Sequence, residues 1–182
     1  MKEEIEKQIA DLKAQVDSLS QNQPENKISM IVFSGDLDKA LAAFVIATGA
    51  VAMGMEVVMF FTFWGTPLLR DKMKKVGGKD LMGAMFGTML PKGVKQVKLS
   101  KMNMAGMGTS MMKSLMKKKN VASLEQMIEM AWELGVKIYV CEMSMDLMGF
   151  KREEMISYPD MTYCGVAKFL EQAMESKIQL FI

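Results

Sequence analysis

Ile28-Ser29-Met30-Ile31-Val32-Phe33-Ser34-Gly35-Asp36-Leu37 is the stretch on which the fold turns. A β-rich run, charged only at the Lys27 that precedes it, ends at Ser34-Gly35-Asp36. An apolar helical pattern then covers Leu37 to Met53, Gly54 stops it, and Glu56 to Phe63 reads as a second apolar strand. Strand, helix and strand in succession, with strands that are apolar throughout, indicate a mostly parallel sheet covered on both faces.

The same rhythm recurs toward the C-terminus. Residues 121–134 form a helical pattern in which Leu124, Met127, Ile128, Ala131 and Trp132 share one face, with Ser123 as N-cap and Gln126 three residues on. Gly135 closes it, Val136 to Cys141 is a short strand, Gly165 to Met174 a helix, and Ile178 to Ile182 a last strand. Gln96 to Leu99 is a weaker candidate for one more strand. The expected architecture is α/β, three-layered and doubly wound, with a mostly parallel sheet of about five strands in a domain spanning 28–182. Residues 64–119 break the rhythm. Gly77, Gly78, Gly83, Gly87, Gly93, Gly106 and Gly108 exclude long uninterrupted helices there, so the segment is an excursion from the sheet.

Residues 1–22 stand apart as an amphipathic helix. Ile5, Ile9, Leu12, Val16 and Leu19 are spaced by four, three, four and three residues, the seam of a coiled coil. Self-association through this seam and folding back onto the domain are the two readings. Residues 23–27, with Pro24, supply a linker.

Composition removes several function classes. The 182 residues include 23 methionines and no histidine, so neither a Ser-His-Asp triad nor a Cys-His pair exists. Two cysteines, outside any C-x-x-C spacing, are too few for a Cys-only zinc site. Nothing resembles G-x-G-x-x-G or a phosphate-binding loop. A net charge of +2 gives no reason to expect nucleic acid. The nearest thing to a membrane segment, Ala40 to Leu69, is broken by Glu56, and its first uncharged stretch, Ala40 to Met55, has 16 residues against the roughly 20 of a spanning helix. An N-terminus opening Met-Lys-Glu-Glu suggests no signal peptide, hence a cytoplasmic location and free thiols.

Ligands of open parallel α/β sheets bind beyond the C-terminal ends of the strands. Two segments meet that condition. Ser34-Gly35-Asp36 heads a helix whose first amides suit an anion, or is simply a helix cap. Cys141 ends the strand Val136–Cys141, and Glu142-Met143-Ser144-Met145-Asp146 leads into a short helix closed by Gly149. A thiol at that edge, near a helix N-terminus and the Ser144 hydroxyl, would be held as thiolate; the alternative is a small buried residue. Cys164, just before the last helix, is either a second thiol or core filler.

The run Val136-Lys137-Ile138-Tyr139-Val140-Cys141-Glu142-Met143-Ser144-Met145-Asp146-Leu147-Met148-Gly149 resembles the cysteine segment of DsrE/DsrF-like proteins, in the branch often labelled peroxiredoxin-like. Ile31 to Leu41, Phe60 to Leu68 and Leu99 to Leu124 are similar to the same branch. The resemblance implies a five-stranded α/β fold, a homo-oligomer (dimer, trimer or hexamer), and sulfur transfer through a persulfide on Cys141 without a cofactor. The implied partners are sulfur donor and acceptor proteins or small sulfane-sulfur compounds. Cys164 matches no motif of the family, and Cys141 lacks the Thr/Ser-x-x-Cys setting of a peroxide-reducing cysteine.

Between Lys92 and Lys119 lie eight lysines and no acidic residue, interleaved with Met102, Met104, Met107, Met111, Met112 and Met116. The segment reads as a lid over Cys141, a basic amphipathic surface for anionic lipid or a partner, a thioether site for cuprous ion, or a solvated loop. The functional expectation is a sulfur carrier or sulfurtransferase. Its competitors are a membrane-peripheral or partner-docking adaptor and a thiol-disulfide protein using Cys141 and Cys164.

Overall fold

The computed structural model describes residues 2–21, 23–74, 76–79, 81–159 and 161–182. Five parallel strands, β1 (Glu25–Val32), β2 (Glu56–Phe61), β3 (Lys137–Cys141), β4 (Met161–Cys164) and β5 (Ser176–Phe181), form one sheet in the order β4-β3-β2-β1-β5. From β1 to β4 each strand sits one place further along, so right-handed crossovers put the intervening helices on one face. These include α2 (Leu37–Ala52), α5 (Leu124–Glu133) and α6 (Glu142–Met148). The next helix, α7 (Val166–Glu175), runs from β4 at one edge to β5 at the other and takes the opposite face.

Burial follows this division residue by residue. Met30, Val32, Val57, Met59, Phe61, Ile138 and Val140 point into the large core with Phe44 and Ala47 of α2 and Ala131 of α5. Val58, Phe60, Tyr139 and Cys141, the alternate positions, point to the other face and meet Phe169 and Ala173 of α7. Strands buried on both faces explain the unbroken apolar runs. At β3, Cys141 therefore belongs to the thinner layer, beneath one helix.

The caps expected from sequence are present. Ser123 accepts from the Gln126 amide and the Gln126 side chain returns the bond, a capping box that starts α5. Gly54, Gly135 and Gly149, at φ 75°, 74° and 63°, end α2, α5 and α6. Two elements differ from expectation. Residues 96–99 do not join the sheet: the Lys98 carbonyl accepts from Leu37 N and the Leu99 amide donates to Thr109 Oγ1, so this backbone is committed to the start of α2 and to the excursion. The fifth strand is instead β4, in a segment for which no strand is expected. β1 also begins at Glu25, inside the expected linker, where it pairs with Ser176.

The excursion holds α3 (Leu81–Met89) and α4 (Met107–Lys118). A buried charge cluster anchors it. Arg70 donates to the carbonyls of Gly87, Leu90 and Pro91 and to Glu154, and its guanidinium lies 4.5 Å from the Phe150 ring centroid. Lys79 also pairs with Glu154. Burial would push the Glu154 carboxyl up, but the Lys79 and Arg70 cations and the Lys151 amide hold it below its ordinary value.

The N-terminal helix α1 (Lys2–Gln21) shows Ile5, Ile9, Leu12 and Val16 all about half exposed, so the expected seam lies open along the chain. The Leu19 side chain and Asn22 lie outside the described residues.

Candidate functional site

β3 and β4 are in direct register, with Tyr139 opposite Thr162 and Cys141 opposite Cys164. Both cysteines are free, and both face α7. Strands in a sheet lie about 4.7–4.9 Å apart, so the two thiols are side by side at the C-terminal edge. The sequence places Cys141 at such an edge and Cys164 just before the last helix, and it does not show that the two share one edge.

The site is covered. Cys141 is 3% exposed and Cys164 9%, beneath Phe169, whose ring stacks on Phe60 at 5.1 Å between centroids. Cys141 is therefore buried, as in the alternative reading of a small residue at the strand end, and not an exposed thiol. The period-2 alternation of β3 turns its last side chain toward α7, into one buried cluster with Phe169. Burial pushes the Cys164 thiol above its ordinary pKa; the charge of Cys141 and then Glu142 push the same way, against Lys168. The Glu142 carboxylate is engaged by Arg152, and that guanidinium lies 4.8 Å from the Tyr163 ring centroid.

Ser144, expected to donate to a sulfur anion, is fully buried elsewhere. Its hydroxyl accepts from Phe63 N at 3.0 Å and shares a 2.8 Å hydrogen bond with Thr62 Oγ1. It fastens α6 to the end of β2, and so fixes the segment that follows Cys141.

Ser34-Gly35-Asp36 forms a different feature. Ser34 Oγ donates to Asp36 Oδ2 at 2.8 Å, Asp36 pairs with Lys39 at 3.3 Å, and the first α2 amide is taken by the Lys98 carbonyl. Asp38 accepts from the Ser100 amide and hydroxyl; those bonds outweigh burial and lower its pKa. With the Leu37 amide taken and the Asp36 and Asp38 carboxylates beside it, the turn is poorly suited to an anion and serves as a structural junction. Gly35 is required there, because a Cβ would lie 2.3 Å from the Trp64 carbonyl oxygen. With Phe33, Lys39, Trp64, Pro67, Leu90 and Pro91 the turn lines a 420 Å³ cleft that includes neither cysteine.

The methionine–lysine segment is not a lid over Cys141. Val94, Lys95, Lys113, Met116 and Lys117 line a pocket with Leu124, Gln126, Glu129 and Glu133, on the α5 side of the sheet, whereas Cys141 faces α7. Sequence reading also misses Phe60, Phe169 and Lys168 as neighbours of the thiols. The signal for β4 is faint but present: Met161-Thr162-Tyr163-Cys164 is rich in strand formers and stops at Gly165, much as Tyr139-Val140-Cys141 stops at a helix.

Residues 24–181 match the model of the "DsrE/DsrF/DrsH-like family". The chain belongs to this family. Its relatives include the "Uncharacterized protein YrkE" of Bacillus subtilis, 47% identical over 156 residues, covering 86% of this chain and 96% of that one. They also include the "Sulfur carrier protein DsrE2" of Allochromatium vinosum, 38% identical over 170 residues, covering 87% and 99%. Among solved structures, the ychN protein of E. coli aligns with a TM-score of 0.48 at 9% identity, over 86% of this chain and 98% of that one. Within this DsrE-like chain the described residues contain no cluster of three or more His, Cys, Asp or Glu able to hold a metal, and no helix long and apolar enough to cross a membrane.

Proposed function

We propose that the chain is a sulfur carrier in which Cys141 holds sulfane sulfur as a persulfide, taken from a donor persulfide or polysulfide and passed to an acceptor thiol. The observation that carries the reading is the position of Cys141. It is the last residue of β3 and the N-cap of α6, at the C-terminal edge of the sheet. The chain's family includes a relative named a sulfur carrier, which supports the same reading.

Loading is thiol exchange. The Cys141 sulfur attacks the outer sulfur of a donor R–S–SH, the S–S bond of the donor breaks, and R–SH leaves as Cys141–S–SH forms. Discharge to an acceptor thiol repeats the step in the other direction. Burial sets the order of events: α7 must yield at Phe169 before either exchange, and a persulfide left beneath it is sheltered from small thiols in bulk solution. Partners are therefore proteins or sulfane-sulfur compounds that meet the chain at the β3–β4–α7 edge. Homo-oligomerisation uses the open α1 seam of Ile5, Ile9, Leu12 and Val16.

Cyanolysis tests the carrier reading. After exposure to polysulfide and removal of the excess, the parent chain should release about one thiocyanate per chain on addition of cyanide. The Cys141→Ala variant should release none. Equal release from both chains removes Cys141 as the carrier.

A second reading has its own observation. Met107, Met111, Met112 and Leu115 of α4 are exposed beside Lys113, Lys117 and Lys118, an amphipathic surface suited to anionic lipid. Flotation with anionic vesicles at low salt tests it, and absence of binding removes it.

A further inference from the structure

From the register that sets Cys141 beside Cys164, we infer that the site has two sulfur positions, and that the outer sulfur of a Cys141 persulfide passes to Cys164 within the same chain. The inference rests on the carrier reading and adds a step to it.

The geometry favours sharing one sulfur over closing a disulfide. Side chains at matched positions of neighbouring parallel strands leave the sheet in the same direction, so their Cβ atoms keep roughly the strand spacing of 4.7–4.9 Å. A disulfide needs Cβ atoms about 3.5–4.5 Å apart, and strain raises its tendency to be reduced. A persulfide carries one additional sulfur, roughly 2 Å beyond the first, which reaches across that interval toward the neighbouring thiol. Both positions lie under the same helix, in a cluster otherwise made of Val58, Phe60, Tyr139, Phe169 and Ala173. Once α7 is closed, each sulfur is the other's nearest exchange partner.

The step balances without an oxidant. In Cys141–S–SH + Cys164–SH → Cys141–SH + Cys164–S–SH, a bond forms between Cys164 Sγ and the outer sulfur while the bond from that sulfur to Cys141 Sγ breaks. The proton of the Cys164 thiol ends on Cys141, and the sulfane sulfur keeps its oxidation state. The upward push on Cys164 from burial and from Cys141 fits this order, because two thiolates do not stand side by side beneath Phe169. Cys141 loads first, and Cys164 gives up its proton only as sulfur arrives. Lys168 on α7 is the cation that moderates the charge.

The test locates the sulfur on peptides. The chain is exposed briefly to polysulfide, quenched by alkylation, digested and weighed, alongside Cys141→Ala and Cys164→Ala; alanine is chosen because serine would bury an unpaired hydroxyl. A gain of about 32 Da, one sulfur atom, should appear on the Cys141 peptide first and on the Cys164 peptide later in the parent chain. It should stay on Cys141 in Cys164→Ala, and Cys164 should gain none in Cys141→Ala. Sulfur confined to Cys141 in the parent chain overturns the relay and leaves the carrier intact. Loading of Cys164 in Cys141→Ala at the parent rate also overturns it, because Cys164 then needs no donor within the chain. A parent chain that ends as a Cys141–Cys164 disulfide shows attack on the inner sulfur and overturns it as well. No sulfur on either cysteine overturns both readings.

Discussion

Phe169→Ala should uncover both thiols at once. Phe169 is 4% exposed, stacks on Phe60, and shares a cluster with Cys141 and Cys164. Truncating a buried Phe to Ala costs about 3–5 kcal/mol. If about 3 kcal/mol of that bears on the closed position of α7, the open form becomes on the order of 100-fold more populated, at about 1.4 kcal/mol per factor of ten. The assay is alkylation in native buffer, followed by the rate at which each cysteine peptide is modified, with urea unfolding run beside it. Both cysteines should be labelled faster, together and by that order, and Phe169→Leu should fall between variant and parent. Acceleration of one thiol alone, or no acceleration despite the measured loss of stability, would refute the single shared cover.

Other consequences are as direct. Ser144→Ala strips partners from Thr62 and from the Phe63 amide in a largely buried joint, and should lower the unfolding free energy by about 1–3 kcal/mol in urea. Glu154→Gln leaves Arg70 and Lys79 buried without their counter-charge and should cost about 3–5 kcal/mol. The pH dependence has a definite sign: Glu154 titrates lower folded than unfolded, so its stabilisation is present above the ordinary carboxylate range and is lost as pH falls through and below it. Acid unfolding of the parent, followed by circular dichroism, should therefore be steeper than that of Glu154→Gln. Replacing Ile9 and Leu12 together by Asp should leave the domain's stability within about 0.5 kcal/mol, because both side chains are exposed, while light scattering reports a smaller assembly.

Much of the fold is legible in the chain because the strands carry their burial in their composition. The runs at Ile28, Val57 and Val136 are apolar on both faces, and the first and third are closed by recognisable signals: Ser34-Gly35-Asp36, and Cys141 leading into α6. Residues 96–99 and 161–164 defeat the same reading for one reason. Apart from Gln96, which ends a 3-10 turn, both are short extended runs, and only tertiary hydrogen bonding decides which joins the sheet: Lys98 is captured by α2, while Thr162 and Cys164 find β3. Cys141 is readable as a strand end from its flanking Glu142–Gly149 helix. Its burial is not, because the face it occupies depends on a register parity that no local pattern in an all-apolar strand records. The pairing with Cys164 is further out of reach, since it joins residues on two strands whose register the sequence does not state.

The most direct test of the account is the mass of the Cys141 peptide from the Cys164→Ala chain after exposure to a sulfane-sulfur donor, weighed without reductant. The account predicts a gain of about 32 Da on that peptide, removed by a thiol acceptor, with methionine oxidation scored separately. An unmodified Cys141 in a chain that remains folded would contradict it.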